Sequence, residues 1–182
     1  MANRTVDEAI SVHGTNPQFL VEKILRTRIY ESIYWKEHCF ALNAETLIDK
    51  AVELQYIGGQ YANTRPTEFL CLTLKLLQLQ PEKEIILAYL EDEDFKYLRA
   101  LAAFYLRLVG NSVDVYTHLE PLLADYRKLR HRTNAGIELT CVDEFIDALL
   151  REERVCDIIL PRLAQRHVLE EMNDLEPRIS PL

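Results

Sequence analysis

Five histidines and four cysteines in 182 residues make metal ligation the first chemistry to consider. His38-Cys39 is the one adjacent pair, and neighbours in sequence leave a helix on different sides. No second pair stands at zinc-finger spacing and no H-E-x-x-H occurs. Cys39, Cys71, Cys141 and Cys156 therefore read as reduced, mostly buried thiols of a cytosolic or nuclear protein. Nucleophilic catalysis has no better support: G-x-S-x-G and cysteine-protease signatures are missing, and the few serines read as caps or tail residues. Gly58-Gly59, in YIGGQY, lacks the phosphate-cradling G-x-x-x-x-G-K-[ST] pattern and reads as a helix-terminal turn needing positive φ. No catalytic, cofactor or metal site is expected.

What remains is the chemistry of contact. Tyr56 and Tyr61 flank the double glycine, and an aromatic rim around a turn suits a peptide partner. Tyr30, Tyr34 and the single tryptophan, Trp35, form a stripe that reads either as core or as a partner surface. The run YRKLRHR (126–132) gathers Arg127, Lys128, Arg130, His131 and Arg132. Such a run can meet RNA phosphate or an acidic partner, or form a solvated face. Asp143, Glu144, Asp147, Glu152 and Glu153 gather the opposite sign on the far side of Phe145 and Ile146, as a solvated face or a receiver for a basic helix. A formal net charge of −8 argues against a broad nucleic-acid surface, so direct RNA contact through 127–132 is the secondary reading.

The elements that position these groups are helical. In the run from Asp94 to Gly110 the apolar residues cover an arc of roughly 200° of a helical wheel, twice what a surface helix needs. Lys96, Arg99, Ala100, Ala103 and Arg107 fill the remaining strip, with Asp94 and Gly110 as the capping residues. Pro17, after Thr15-Asn16, opens a helix in which Phe19, Leu20, Lys23, Ile24 and Thr27 line one face, and a segment from Arg28 to Phe40 follows. Asn43 caps a helix over 44–56; Pro66 and Pro81 open two more; Ser112 caps another, interrupted at Pro121. Near Asn134-Ala135-Gly136 the period changes to two, with Ile137, Leu139 and Cys141 on one side, which predicts a β-hairpin around 127–141. Helix resumes at Val142; Val155, Ile158 and Ile159 follow, Pro161 interrupts, and a last helix spans 163–172. The fold class expected is all-α: one domain of about nine or ten short helices over 15–172, an arm at 1–14 docked by Ile10 and Val12, and a tail at 173–182. No apolar run approaches the length of a membrane span, so a soluble monomer is expected.

Several blocks together resemble the N-terminal domain of the pre-mRNA-splicing factor 38 family. They are VEKILRTRIYESIYWKEHCF (21–40), YIGGQY (56–61), PTEFLCLTLKLLQLQPEKEIILAYL (66–90), DFKYLRALAAFYLRLVG (94–110), EPLLADYRKLR (120–130) and VDEFIDALLREERVCDIILPRL (142–163). The resemblance covers about residues 10 to 178. It implies a nuclear, non-enzymatic scaffold that joins the spliceosome, with the tri-snRNP, around the precatalytic B complex and is needed for the activation that follows. It implies two protein partners, a microfibrillar-associated protein 1 homologue and a zinc-finger splicing factor, and no cofactor.

Overall fold

Capping side chains divide the chain much as its punctuation predicts. In the computed structural model, which describes residues 11–181, Asn16 accepts from the Gln18 N–H and starts a single 3-10 turn at Pro17–Leu20. α1 (Lys23–Glu31) follows and ends at Ser32, whose hydroxyl donates to the Ile29 carbonyl and accepts from the Trp35 N–H. The chain restarts as a π-helical turn at Trp35–Cys39. The segment expected from Arg28 to Phe40 is thus broken by a serine competing for backbone groups. Asn43 Oδ1 accepts from the Glu45 and Thr46 N–H groups ahead of α2 (Thr46–Val52), which stops well short of Tyr56.

Thr67 caps α3 (Glu68–Leu79), and α4 (Lys83–Glu91) and α5 (Lys96–Val109) follow. The start of α5 is held by Asp92 rather than Asp94: Asp92 Oδ1 accepts from the N–H groups of Asp94 and Phe95. Asn111, not Ser112, caps α6 (Ser112–Leu119), and Pro121 sits in a 3-10 turn at Glu120–Ala124. α7 (Val142–Arg151) and α8 (Arg166–Glu171) complete the helices among the described residues. Among the described residues the strands form three antiparallel pairs: β1 (Gln60–Tyr61) with β2 (Arg65–Pro66), β3 (Lys128–Thr133) with β4 (Gly136–Cys141), and β5 (Arg154–Val155) with β6 (Ile158–Ile159). The fold is the expected single helical domain. The β3–β4 hairpin stands where the change of period puts it, and the other two hairpins, too short to show a period, were not anticipated.

α5 is buried on every side from Leu98 to Leu108, including the strip that holds Arg99, Ala100, Ala103 and Arg107. The two arginines are tolerated because their guanidinium groups find acceptors. Arg99 Nε donates to the Leu90 carbonyl (2.8 Å) and Nη1 to Asp125 (2.9 Å), and Arg107 Nε donates to the Leu149 carbonyl (2.7 Å). α3 packs alongside, and Phe69, Phe104 and Phe145 from α3, α5 and α7 meet with ring centroids 5.7 to 6.3 Å apart. Such aromatic pairs each add about 1 kcal/mol beyond the area they bury. Lys75 is buried too. Its ammonium donates to the Phe40 carbonyl (3.1 Å) and Gln78 Oε1 (2.7 Å), and burial draws its pKa down.

Near the N-terminus the wheel reading fails. Phe19 and Ile24 are exposed, whereas Leu25 and Ile29 are buried. The extended backbone at Val21 and Glu22 resets the helical phase between the 3-10 turn and α1, so no single wheel spans both. Of the arm, Val12 is docked and His13 Nε2 lies 3.0 Å from the Leu108 carbonyl oxygen; Ile10 is outside the described residues. In the tail, Arg178 reaches to 3.7 Å from Glu120. Cys39, Cys71 and Cys156 are buried free thiols. Among the described residues no helix is long and apolar enough to cross a membrane.

Candidate partner-binding surface

The double glycine is where three backbones meet. Ile57 bridges β3 in parallel fashion, its N–H donating to the Arg130 carbonyl (2.8 Å) and its own carbonyl accepting from Arg132 (2.9 Å). A Cβ on Gly58 would lie 2.5 Å from the Arg132 carbonyl oxygen, and φ there is +151°. A Cβ on Gly59 would lie 2.3 Å from the Asp157 carboxylate and 2.5 Å from the Cys156 backbone. Asp157 accepts from the Gln60 N–H at 2.7 Å. These glycines therefore do not terminate a helix. They let YIGGQY run between β3 and the β5–β6 turn, which only residues without side chains can do.

That close approach unites features that are separate in the sequence. The Arg132 guanidinium lies 4.0 Å from the centre of the Tyr61 ring and 5.2 Å from that of Tyr56. Tyr61 and Tyr34 line one depression, between α1 and the β1–β2 hairpin, with Ile33, Arg28 and Arg65. Tyr34 and Tyr56 line its neighbour, with His38, Glu53 and Glu68. Burial raises the Tyr34 phenol well above its ordinary pKa. Burial raises that of Tyr56 as well, against the pull of Arg132. Tyr34, Tyr56, Tyr61 and Arg132 thus form one aromatic and cationic surface, of the residue types that dominate binding energy at interfaces.

The other expected contact residues divide. Trp35 is 1% exposed and belongs to the core, not to the surface. Tyr30 is half-buried, meets Trp35 edge-on with ring centres 5.3 Å apart and donates its hydroxyl to Gln18. Arg127 is engaged internally: Nε and Nη2 grip Asp125 at 2.7 to 3.2 Å and Nη1 donates to the Glu93 carbonyl. Burial alone would raise the pKa of Asp125, but hydrogen bonds from Arg127 and Arg99 hold it down to about 2. Lys128 and Arg130 stay exposed. With Arg132 they share one face of β3, since side chains alternate along a strand. On the acidic helix, the Glu144 carboxylate accepts from Thr140 Oγ1 and the Cys141 N–H as a capping group. Asp147 pairs with Arg151 at 2.9 Å, and Asp143 is half-buried beside them. The acidic patch is therefore smaller than the sequence suggests.

Ile137 and Leu139 were missed as surface groups. They are 57% and 68% exposed, the reverse of what their alternation suggests. Register gives the reason: the buried residue of β3 is Leu129, and it stands opposite Thr140. Thr140 therefore shares the side of the buried Leu129, while Ile137 and Leu139 share the opposite side with the exposed Lys128 and Arg130. Among the described residues no three histidine, cysteine or carboxylate side chains converge as a metal site would require.

Residues 10–173 match the model of the PRP38 family. The chain is 61% identical over 184 aligned positions to pre-mRNA-splicing factor 38 of Drosophila melanogaster and 63% identical to pre-mRNA-splicing factor 38A of Homo sapiens. Those alignments take in 100% of this chain but 56% and 59% of the relatives, so it spans a little over half their length. Among solved structures it is similar to a chain of the Snu23–Prp38–MFAP1(217–258) complex of Chaetomium thermophilum. The match has a TM-score of 0.91 at 47% identity and covers 95% of this chain and 91% of that one.

Proposed function

Because this chain belongs to the PRP38 family, we propose that it works in pre-mRNA splicing as a scaffold, holding segments of other splicing factors against a rigid helical body and carrying out no reaction itself. One observation carries the reading. The chain superposes over nearly its whole length on a solved protein whose complex includes Snu23 and a segment of MFAP1 numbered 217–258. A short segment gripped by a folded domain is what the surface around Tyr34, Tyr56, Tyr61 and Arg132 suits. A segment that is disordered when free pays an ordering cost on binding, which a preformed aromatic and arginine surface helps to offset.

On this reading the partners are an MFAP1 homologue and a Snu23-like zinc-finger factor, the site of action is the nucleus, and the stage is the B complex with its tri-snRNP, before activation. Titration calorimetry of the purified chain against the corresponding MFAP1 segment tests it. Saturable binding without RNA is expected, and a flat heat trace with that segment and with the Snu23 homologue would end the proposal. The stage has its own test: extract depleted of the protein should assemble the B complex and stop before activation. The basic row of β3 keeps direct RNA contact as a second reading. Gel shift at low salt, lost on charge reversal of Lys128 and Arg130, would favour it.

A further inference from the structure

The outer edge of the β3–β4 hairpin is open. Arg130 and Arg132 turn their backbone groups toward Ile57, and the Arg130 N–H also meets the Tyr97 hydroxyl. The Lys128 carbonyl, turned the same way, accepts from Lys96. In an antiparallel ladder the residues between these, Leu129, His131 and Thr133, are then the ones bonded to β4. Their partners Thr140, Glu138 and Gly136 face β3, which leaves the N–H and C=O groups of Ile137 and Leu139 directed away from it. Among the described residues no strand lies on that side of β4. The edge closes at Cys141, whose N–H is taken by Glu144 at 3.2 Å.

The same two residues carry the exposed apolar side chains, and their cross-strand neighbours are cations: Ile137 stands opposite Arg132 and Leu139 opposite Arg130. Neither Lys128 nor Arg130 has an ion-pair partner among the described residues, in a chain of net charge −8. No strand among the described residues pairs with this edge, which has no proline or lysine and a single charged guard against strand addition, Glu138, on the opposite face from Ile137 and Leu139.

We infer that β4 receives an extended segment of a partner protein as a third strand, one whose outward residues alternate apolar and acidic. The partner's backbone bonds to Ile137 and Leu139, its apolar side chains cover theirs, and its carboxylates reach Arg130 and Lys128. Aliphatic groups among the cations favour a peptide over RNA, whose bases need aromatic platforms. The inference deepens the scaffold reading and rests on it, but its test uses a different ligand, so either can fail without the other.

The probe is the blocked peptide acetyl-VTETVTE-amide, followed by backbone amide NMR of the labelled chain. Shifts centred on Ile137 and Leu139 are expected at millimolar peptide. A version N-methylated at alternate amides, which cannot pair as a strand, should produce none. Leu139→Pro removes an edge N–H that does not serve the β3 ladder and should weaken binding by at least about tenfold. Arg130→Glu, which leaves the backbone intact, should weaken it by about tenfold and reduce its salt dependence. No shift at β4, equal binding of the methylated peptide, or preference for oligouridylate over the peptide would overturn the inference. So would an edge-to-edge dimer of the chain that excludes the peptide.

Discussion

Cations lie both within the body of this molecule and on its surface, and the two settings treat them oppositely. Around α5, Arg99, Arg107 and the nearby Arg127 each close on an acceptor of the same chain, and Lys75 does so against the π-helical turn. On β3, Lys128 and Arg130 have no carboxylate partner among the described residues, and Arg132 rests on two tyrosine rings. Charge satisfied internally holds the body together. Charge left open on a strand face is available to another molecule. Sequence position does not separate the two classes, for Arg127 and Lys128 are neighbours and fall on opposite sides of the division.

The sharpest way to break the comparison is at Asp125, which anchors both Arg99 and Arg127. Asp125→Ala leaves Arg99 buried with a guanidinium N–H unpaired, and a loss of about 3–5 kcal/mol in unfolding free energy is expected. Urea denaturation measures it. A loss below about 1 kcal/mol, the size of an exposed pair, would mean that the interior charges are no more structural than those on β3. Next in size is Gly59→Ala, whose Cβ would collide with the Asp157 carboxylate and the Cys156 backbone. It should cost about 1–3 kcal/mol. Because it forces β5–β6 away from YIGGQY, it should also disturb the Tyr61 and Arg132 resonances in a backbone-labelled sample.

Acid gives a milder version of the first test. The folded pKa of Asp125 is depressed from 3.8 to about 2, so its stabilising contribution is complete above the unfolded value and is lost as pH falls through the folded one. That contribution is of order 2 kcal/mol. The difference in stability between the native chain and Asp125→Asn should therefore hold steady above about pH 5 and shrink toward pH 2. A difference independent of pH over that window would assign the effect of Asp125 to shape and not to charge.

Helix positions were legible where punctuation and period agreed, as at Pro66 shortly before α3, and where the period alone was strong, as in the apolar run that became α5. What escaped reading depends on tertiary register. Nothing local says that Gly58-Gly59 must pass between β3 and the Cys156 turn, since that demand comes from a segment about a hundred residues away. Nor does alternation alone say which side of β4 faces inward, since Leu129 on the partner strand decides it. The Tyr34, Tyr56, Tyr61 and Arg132 surface was visible only as parts. The tyrosines and the basic run were each singled out as candidate contact residues, but their meeting needed the Ile57–β3 bridge.

The smallest expected effect is the most informative about the open side. Replacing both Ile137 and Leu139 with threonine puts a β-branched residue at each of these edge-strand positions and removes apolar surface that is more than half exposed. Stability should change by no more than about 0.5 kcal/mol, as for other exposed positions. If instead the double variant loses about 2 kcal/mol or more, these side chains are buried in the free protein, and the outer face of β4 is architecture like α5. If stability holds while binding of the MFAP1 segment or of the strand-forming peptide falls, the exposed pair serves association alone. The division between internally closed and outwardly open groups then extends from the charged residues to the apolar ones.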